Sequence, residues 1–412
     1  MKLRTPGSPD LSYCTNIHPG ESLADVSRAV FEHVPSVKRK LGVTGPFGVG
    51  LRLSARAAEE LAEPSAFEAF ESGLRDAGLY VFTVNGFPHG NFHGERVKEA
   101  VYRPDWREPG RLAYSDRLAG ILARLVPTGG RGSVSTVPGA FRARASEPGA
   151  AAEMADALVR HAATLVRLER ETGRQIVLAL EPEPECFLET TDDAVRFFGE
   201  HLQGKAARAR LSALSGLSPA EAEAALRRHL TLCLDACHLA VEFEDATDAL
   251  RKLSGAGIRI GKVQLTTALA VSLSGDLRED GPRLQALERF DDGVYLHQVV
   301  EKRAGRLARH VDLPGALAEL RTRVASGPSE LRVHFHVPVF LEALGPFRST
   351  QPFLRDLLAA LRTTDVSPHL EVETYTFGVL PEEHRLGDVD DAIARELSFT
   401  LNALGERKGG PS

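Results

Sequence analysis

The chain has 412 residues, 43% of them hydrophobic, enough apolar material for a large core and too much for wholesale disorder. Its net charge is −6 with a pI near 6.2, and no basic block stands out, so nucleic acid is not an expected partner. Met1–Asp10 has no apolar core of the leader type and no run approaches a membrane span, so a cytoplasmic protein is expected. Cys14, Cys186, Cys233 and Cys237 form no CxxC pair and read as reduced core thiols.

In chain order, short apolar segments alternate with longer amphipathic ones. Leu11–Ile17, Phe47–Leu53, Leu79–Val84 and Ser133–Val137 read as strands, with helical segments over Glu21–Lys40, Ala55–Ala77 and Arg111–Val126 between them. Ala151–Thr172 has helical spacing and stops at Gly173; Ser218-Pro219-Ala220-Glu221 supplies a cap, a first-turn proline and a capping-box glutamate for the next helix. Further strands are read at Ile176–Leu180, Leu230–Leu234, Ile258–Leu265, Arg332–Val337 and Leu370–Thr376, with helices over Gln351–Arg362 and Val389–Leu404. This alternation predicts βα units and a parallel sheet closed as a (β/α)8 TIM barrel. Nine strands is one too many. The charged stretch from Thr266 to Leu331 is expected to form a long, irregular insertion over one barrel end. One domain over residues 1–405 and a flexible tail over 406–412 are expected.

Active-site groups of such barrels sit at the C-terminal ends of strands. Here Ile176–Leu180 runs into Glu181 and Glu183, Leu230–Leu234 into Asp235 and His238, Lys262-Val263 into Gln264, Val333 into His334 and His336, and Leu370 into Glu371 and Glu373. With strand parity of two, apolar neighbours facing the helices turn Glu181, Asp235, Gln264, His334, His336, Glu371 and Glu373 inward. Converging carboxylates are costly unless neutralised, and a divalent cation neutralises them; oxygen ligands with some imidazole suit Mn, Co, Mg, Zn or Fe. His89 and His93 lie in a glycine-rich loop spanning Gly86, Gly90 and Gly94, which is a weak metal signal and no phosphate cradle.

The pattern of Glu181, Asp235 with His238, a histidine and Glu373 resembles the xylose-isomerase-like superfamily of sugar isomerases, ketose 3-epimerases, inosose dehydratases and endonuclease IV. Leu178-Ala-Leu-Glu-Pro resembles the fifth strand of that superfamily and Cys233-Leu-Asp-Ala-Cys-His238 its sixth. Leu11-Ser-Tyr-Cys-Thr-Asn-Ile-His-Pro-Gly-Glu21, Asn85-Gly-Phe-Pro-His-Gly90, Phe92-His93-Gly94 and Glu373-Thr-Tyr-Thr-Phe-Gly-Val-Leu-Pro381 resemble the metabolite-traffic protein EboE family, whose members are linked to secondary-metabolite operons and hence to possible partner proteins of those operons. The resemblance implies a metal held by Glu181, Asp235, a histidine and Glu373. Gln264 stands where a seventh-strand histidine is expected, so either Gln264 ligates or His336 replaces it, with His336 favoured. Glu181 and Glu373 would form the acid/base pair of an isomerase or epimerase acting on a sugar, sugar phosphate or cyclitol. Asn16, His18, Asn85, His89, His93, Glu183, His238, Gln264 and His334 would bind the substrate, His238 touching it or a second metal, with Phe87 and Trp106 as an apolar wall. An endonuclease IV-like phosphodiesterase, for which the DxxH element and the His334–His336 pair speak, and a non-catalytic metabolite-binding barrel are the alternatives.

Overall fold

Strings of β-branched and aliphatic residues that bury both faces favour parallel strands covered by helices, and the chain contains eight such strings. The computed structural model describes residues 1–93, 96–323, 327–385 and 387–406; Gly94 and the tail segment 407–412 lie outside the described residues. Strands β1 (Asp10–Tyr13), β2 (Phe47–Arg52), β3 (Leu79–Asn85), β4 (Arg131–Thr136), β5 (Gln175–Leu180), β6 (Leu230–Asp235) and β7 (Ile260–Leu265) precede an insertion made of β8 (Leu269–Leu273), β9 (Val299–Arg303), β10 (Arg306–His310), β11 (Ser329–Val333), β12 (Ala343–Leu344) and β13 (Phe347–Ser349), and β14 (His369–Val372) follows it. The first seven strands and β14 form one eight-stranded sheet, every neighbouring pair parallel, in the order β1-β14-β7-β6-β5-β4-β3-β2. A parallel bridge between Cys14 and Gly50, with the Ser12 hydroxyl donating to the Gly48 carbonyl at 2.7 Å, brings β1 against β2 and rounds the sheet into an α/β barrel.

The expected alternation holds in the late strands. Ile176, Leu178 and Leu180 of β5, and Leu230, Leu232 and Leu234 of β6, pack in the core between sheet and helices, whereas Val177, Thr231 and Cys233 do not. The inward residues make an unusually polar barrel interior. Lys262 and Glu371 form a fully buried ion pair at 2.5 Å, and Ser133 bonds both Thr83 and His369 at 2.8 Å. Glycine is required at position 50 because a Cβ there would meet the Glu371 carboxylate oxygen at 1.8 Å and the Tyr13 carbonyl at 2.6 Å.

Helix punctuation follows the local chemistry. Gly173, at φ +66°, ends the helix Ala150–Thr172, and the Ser218–Glu221 capping box starts Pro219–His229. The helical segments read over Glu21–Lys40 and Ala55–Ala77 are each divided. A π-helical turn at Ala29–His33 interrupts the first, and Glu63 turns extended ahead of Pro64 in the second.

The insertion corrects the sequence reading in two ways. It is not irregular: β8 to β13 form a six-stranded antiparallel sheet in the order β10-β9-β11-β8-β13-β12. It also extends beyond Leu331 and absorbs the ninth strand. The segment Arg332–Val337 is not a barrel strand; β11 ends at Val333, pairs antiparallel with β8 and β9, and His334–Val337 leaves the sheet. Leu269, Val271, Val299, Leu317, Leu331 and Phe335 belong to a core that the insertion builds for itself. Arg309 grips Glu242 at 2.5 Å and Lys98 grips Asp312 at 2.7 Å, tying the insertion to the barrel loops. Among the described residues no helix is long and apolar enough to cross a membrane.

Substituting Gly50→Ala is expected to lower stability by about 1–3 kcal/mol through overpacking against Glu371, read as a drop in the urea unfolding midpoint; an unchanged midpoint would show that the β1–β2 seam relaxes freely.

Candidate active site

The ends of β5, β6 and β14 converge. Glu181 follows β5, Asp235 closes β6 and Glu373 follows β14, and one ligand atom from each lies within 4.8 Å of the others. All three are buried. Like charges at this spacing out of water disfavour ionisation. Burial, then the charges of Glu373 and Asp235, hold the Glu181 carboxyl well above the usual range. Burial, then Asp235, pushes Glu373 up to about 8.

Each acid is held by specific donors. Asp235 caps the short helix Ala236–Val241: its Oδ1 accepts from the Cys237 and His238 amides at 2.7 and 3.2 Å and from the Thr266 hydroxyl at 2.6 Å, while Oδ2 has no partner. Three side-chain amides converge on Glu373: Asn16 and Asn85 donate to Oε1 at 2.6 and 2.7 Å, and Gln264 donates to Oε2. Glu181 keeps a buried Oε2 with no hydrogen-bond partner.

His334 and His336 arrive from the insertion, and His238 from the helix after β6. Phe335 points into the insertion core against Phe290, and its neighbours His334 and His336 point the other way into the cleft. The alternation read from the sequence is therefore right although the strand is not. His336 Nδ1 lies 2.7 Å from the Glu373 carbonyl. A carbonyl only accepts, so Nδ1 carries the hydrogen and Nε2, buried and unpartnered, presents its lone pair. Burial lowers the His336 pKa to about 4, which keeps the ring neutral. His238 donates from Nδ1 to the Pro182 carbonyl at 2.9 Å, and His334 from Nδ1 to Gln298 Oε1 at 2.7 Å, Gln298 being oriented by its amide donation to the Pro184 carbonyl. Their two Nε2 atoms then face each other at 3.1 Å, a contact that calls for a proton or a cation between them. Glu183 stands beside His334 at 3.4 Å, and its carboxyl, raised by burial, accepts from the Tyr102 hydroxyl at 2.7 Å.

A divalent cation fits this donor set. Glu181, Asp235 and His336 each leave a buried acceptor atom unsatisfied; Glu373 lies at ligand spacing with Glu181 and Asp235, and His336 with Asp235 and His238. Glu183, His238 and His334 form a further group with ligand spacing.

Of the residues singled out from sequence, Asn16, Asn85, Glu181, Glu183, His238, His334, His336 and Glu373 line one cleft, with Asp235 buried just behind. Gln264 is also behind it: its amide nitrogen serves Glu373 and its oxygen accepts from the Cys233 thiol at 2.8 Å. His18, His89 and His93 do not line the cleft. His18 stacks on His33 at 4.2 Å, His89 packs against Tyr114, and His93 bonds the Asn16 carbonyl at 2.6 Å from outside. Phe87 lines the cleft, but Trp106 is buried in the core with its indole on Thr136. Sequence reasoning did not find Phe92, Lys98, Tyr102, Tyr295 or Tyr375, which also line the cleft; of these, Phe92 and Tyr375 lie in quoted motifs and could have been taken from their nearness to His93 and Glu373.

No protein-family model and no curated protein matches the chain. Solved structures similar to it include an IolI protein with a bound zinc atom, 12% identical over 97% of this chain and 100% of that one, with a TM-score of 0.48. The probable 3-DHS dehydratase AsbF of Bacillus anthracis is 14% identical over 95% and 99% of the two chains, TM-score 0.48. A xylose isomerase-like TIM barrel protein of Mycobacterium smegmatis, in complex with magnesium, is 12% identical over 96% and 99%, TM-score 0.46. The barrel is established by the chain's own strand order.

Glu373, at about 8 against an ordinary 4.5, holds a proton through neutral pH that a cation must displace. Mn2+ affinity is therefore expected to rise from about pH 6 to about pH 8, with protons released on binding, as calorimetry in buffers of different ionisation enthalpy would read. Because the folded-state pKa lies above the unfolded one, this group favours the metal-free fold most below about pH 4.5 and the contribution is lost as pH climbs to about 8. Affinity independent of pH would contradict this assignment.

Proposed function

We propose that the chain is a divalent-metal-dependent isomerase or epimerase acting on a sugar-like or cyclitol carbonyl compound. The observation that carries the reading is the buried convergence of Glu181, Asp235 and Glu373, with a bare oxygen on Glu181 and on Asp235, and the bare Nε2 of His336, a residue at ligand spacing from Asp235 and His238. These four residues would hold the cation, and their oxygen-rich set with one imidazole suits Mn, Co, Mg, Zn or Fe. When bound, the cation would supply Lewis-acid polarisation of a substrate carbonyl.

The chain's own residues would do the rest. Glu181 and Glu373 form the acid/base pair, and burial brings their proton affinities toward the range that proton transfer near neutral pH requires. Gln264 and Asn85 keep the Glu373 carboxylate in place as positioning residues. Asn16, with a buried Oδ1 that has no partner, offers an acceptor to a substrate hydroxyl, and Glu183, His238 and His334 face the same space.

In deuterated water the metal-loaded protein is expected to wash deuterium into the carbon next to the carbonyl of its ketose or ketocyclitol substrate. Glu181→Gln and Glu373→Gln should lose bound metal in plasma mass spectrometry and slow exchange by about 10²–10⁴-fold. Exchange that persists in both variants, or a wild-type protein that takes up no Mn2+, would overturn the reading.

A further inference from the structure

The residues around the cleft divide by contact into two groups. The acids, amides and imidazoles bond one another, as described above. Opposite in character, Phe92, Tyr295 and Tyr375 form a cluster of three rings drawn from the β3 loop, the insertion and the β14 loop, with centroids 5.1 to 5.2 Å apart. Phe87, Val97, Val101 and Leu296 also line the cleft and add to its apolar surface. Tyr375 joins the two groups, its ring 4.7 Å from that of His336.

The apolar wall has few polar atoms to offer. The Tyr102 hydroxyl is committed to Glu183 at 2.7 Å and the Tyr295 hydroxyl to His93 at 3.2 Å, which leaves the Tyr375 hydroxyl, among the described residues, as the free tyrosine donor on this side. Lys98 is the one cation among the described residues lining the cleft, and it is paired with Asp312 at 2.7 Å and Asp291 at 3.7 Å. A phosphate or carboxylate on the substrate would find no free cationic side chain. A compound with hydroxyls on every carbon would turn some of them against hydrocarbon, where they lose water and gain no partner.

We propose that the ligand of this cleft is amphipathic: its hydroxyls are confined to one end, and the other end is an uncharged aromatic ring that packs on Phe92, Tyr295 and Tyr375. The proposal deepens the functional reading and rests on it, since the hydroxylated end is assigned to the acid and imidazole group. Aromatic faces and edges reward a flat ring beyond its buried area, and the three rings come from separate parts of the chain that meet only here.

The test is calorimetric binding of matched methyl and phenyl glycosides of glucose, galactose and xylose to the Mn2+-supplemented protein, with glucose 6-phosphate as the anionic control. The phenyl member of each pair is expected to bind about tenfold tighter than the methyl member. Phe92→Leu and Tyr375→Leu, which keep bulk but remove a ring, should cut that advantage to about threefold or less while bound manganese stays unchanged. Equal binding within pairs, binding by neither member, or tightest binding by the phosphate would overturn the proposal. Phenyl preference in a protein that takes up no manganese would support the amphipathic cleft and overturn the metal-dependent reading; stoichiometric manganese without phenyl preference would do the reverse.

Discussion

Three buried carboxyl groups with ligand atoms within 4.8 Å of one another are the constraint around which this molecule is arranged. Out of water, neighbouring carboxylates repel and each loses its hydration, so the surroundings must supply donors, protons or a cation. The chain supplies donors selectively. Three amides converge on Glu373, and two backbone N–H groups and a hydroxyl hold one oxygen of Asp235. One oxygen of Glu181 and one of Asp235 are left bare, as is Nε2 of His336, and Asp235 stands at ligand spacing from both Glu181 and His336. Donors where orientation matters and bare acceptors where they converge are the arrangement a cation site needs.

The insertion makes the arrangement depend on the whole chain. Barrel strands alone provide the carboxylates, but the imidazoles of His334 and His336 come from the segment that leaves β11, and Phe335 between them is anchored in the insertion's own core. Ion pairs from Arg309 to Glu242 and from Lys98 to Asp312 hold that layer against the barrel loops. Loss of the insertion's packing would therefore remove nitrogen ligands from the site without touching a barrel strand.

Much of this was legible in the sequence because parallel barrel strands bury both faces and read as apolar runs that end abruptly in charge. Glu181, Asp235 and Glu373 each follow or close such a run, and strand parity aims them correctly. The misread element is instructive. Val333, Phe335 and Val337 alternate with His334 and His336 as a barrel strand would, but alternation records only that one side meets hydrocarbon; it does not say whether that hydrocarbon is the helix layer or a separate antiparallel sheet. His18, His89 and His93 carry ligand-type side chains, yet stacking, ring packing and a backbone carbonyl account for them. The three-ring cluster of Phe92, Tyr295 and Tyr375 joins residues far apart in the chain, and no local spacing encodes it.

The most direct measurement is anomalous diffraction from crystals soaked in Mn2+, collected on either side of the manganese absorption edge. A peak among Glu181, Asp235, Glu373 and His336 Nε2, within coordination distance of all four, is the predicted result. Well-ordered side chains at that point with no anomalous peak, or a peak held by other residues alone, would contradict the account.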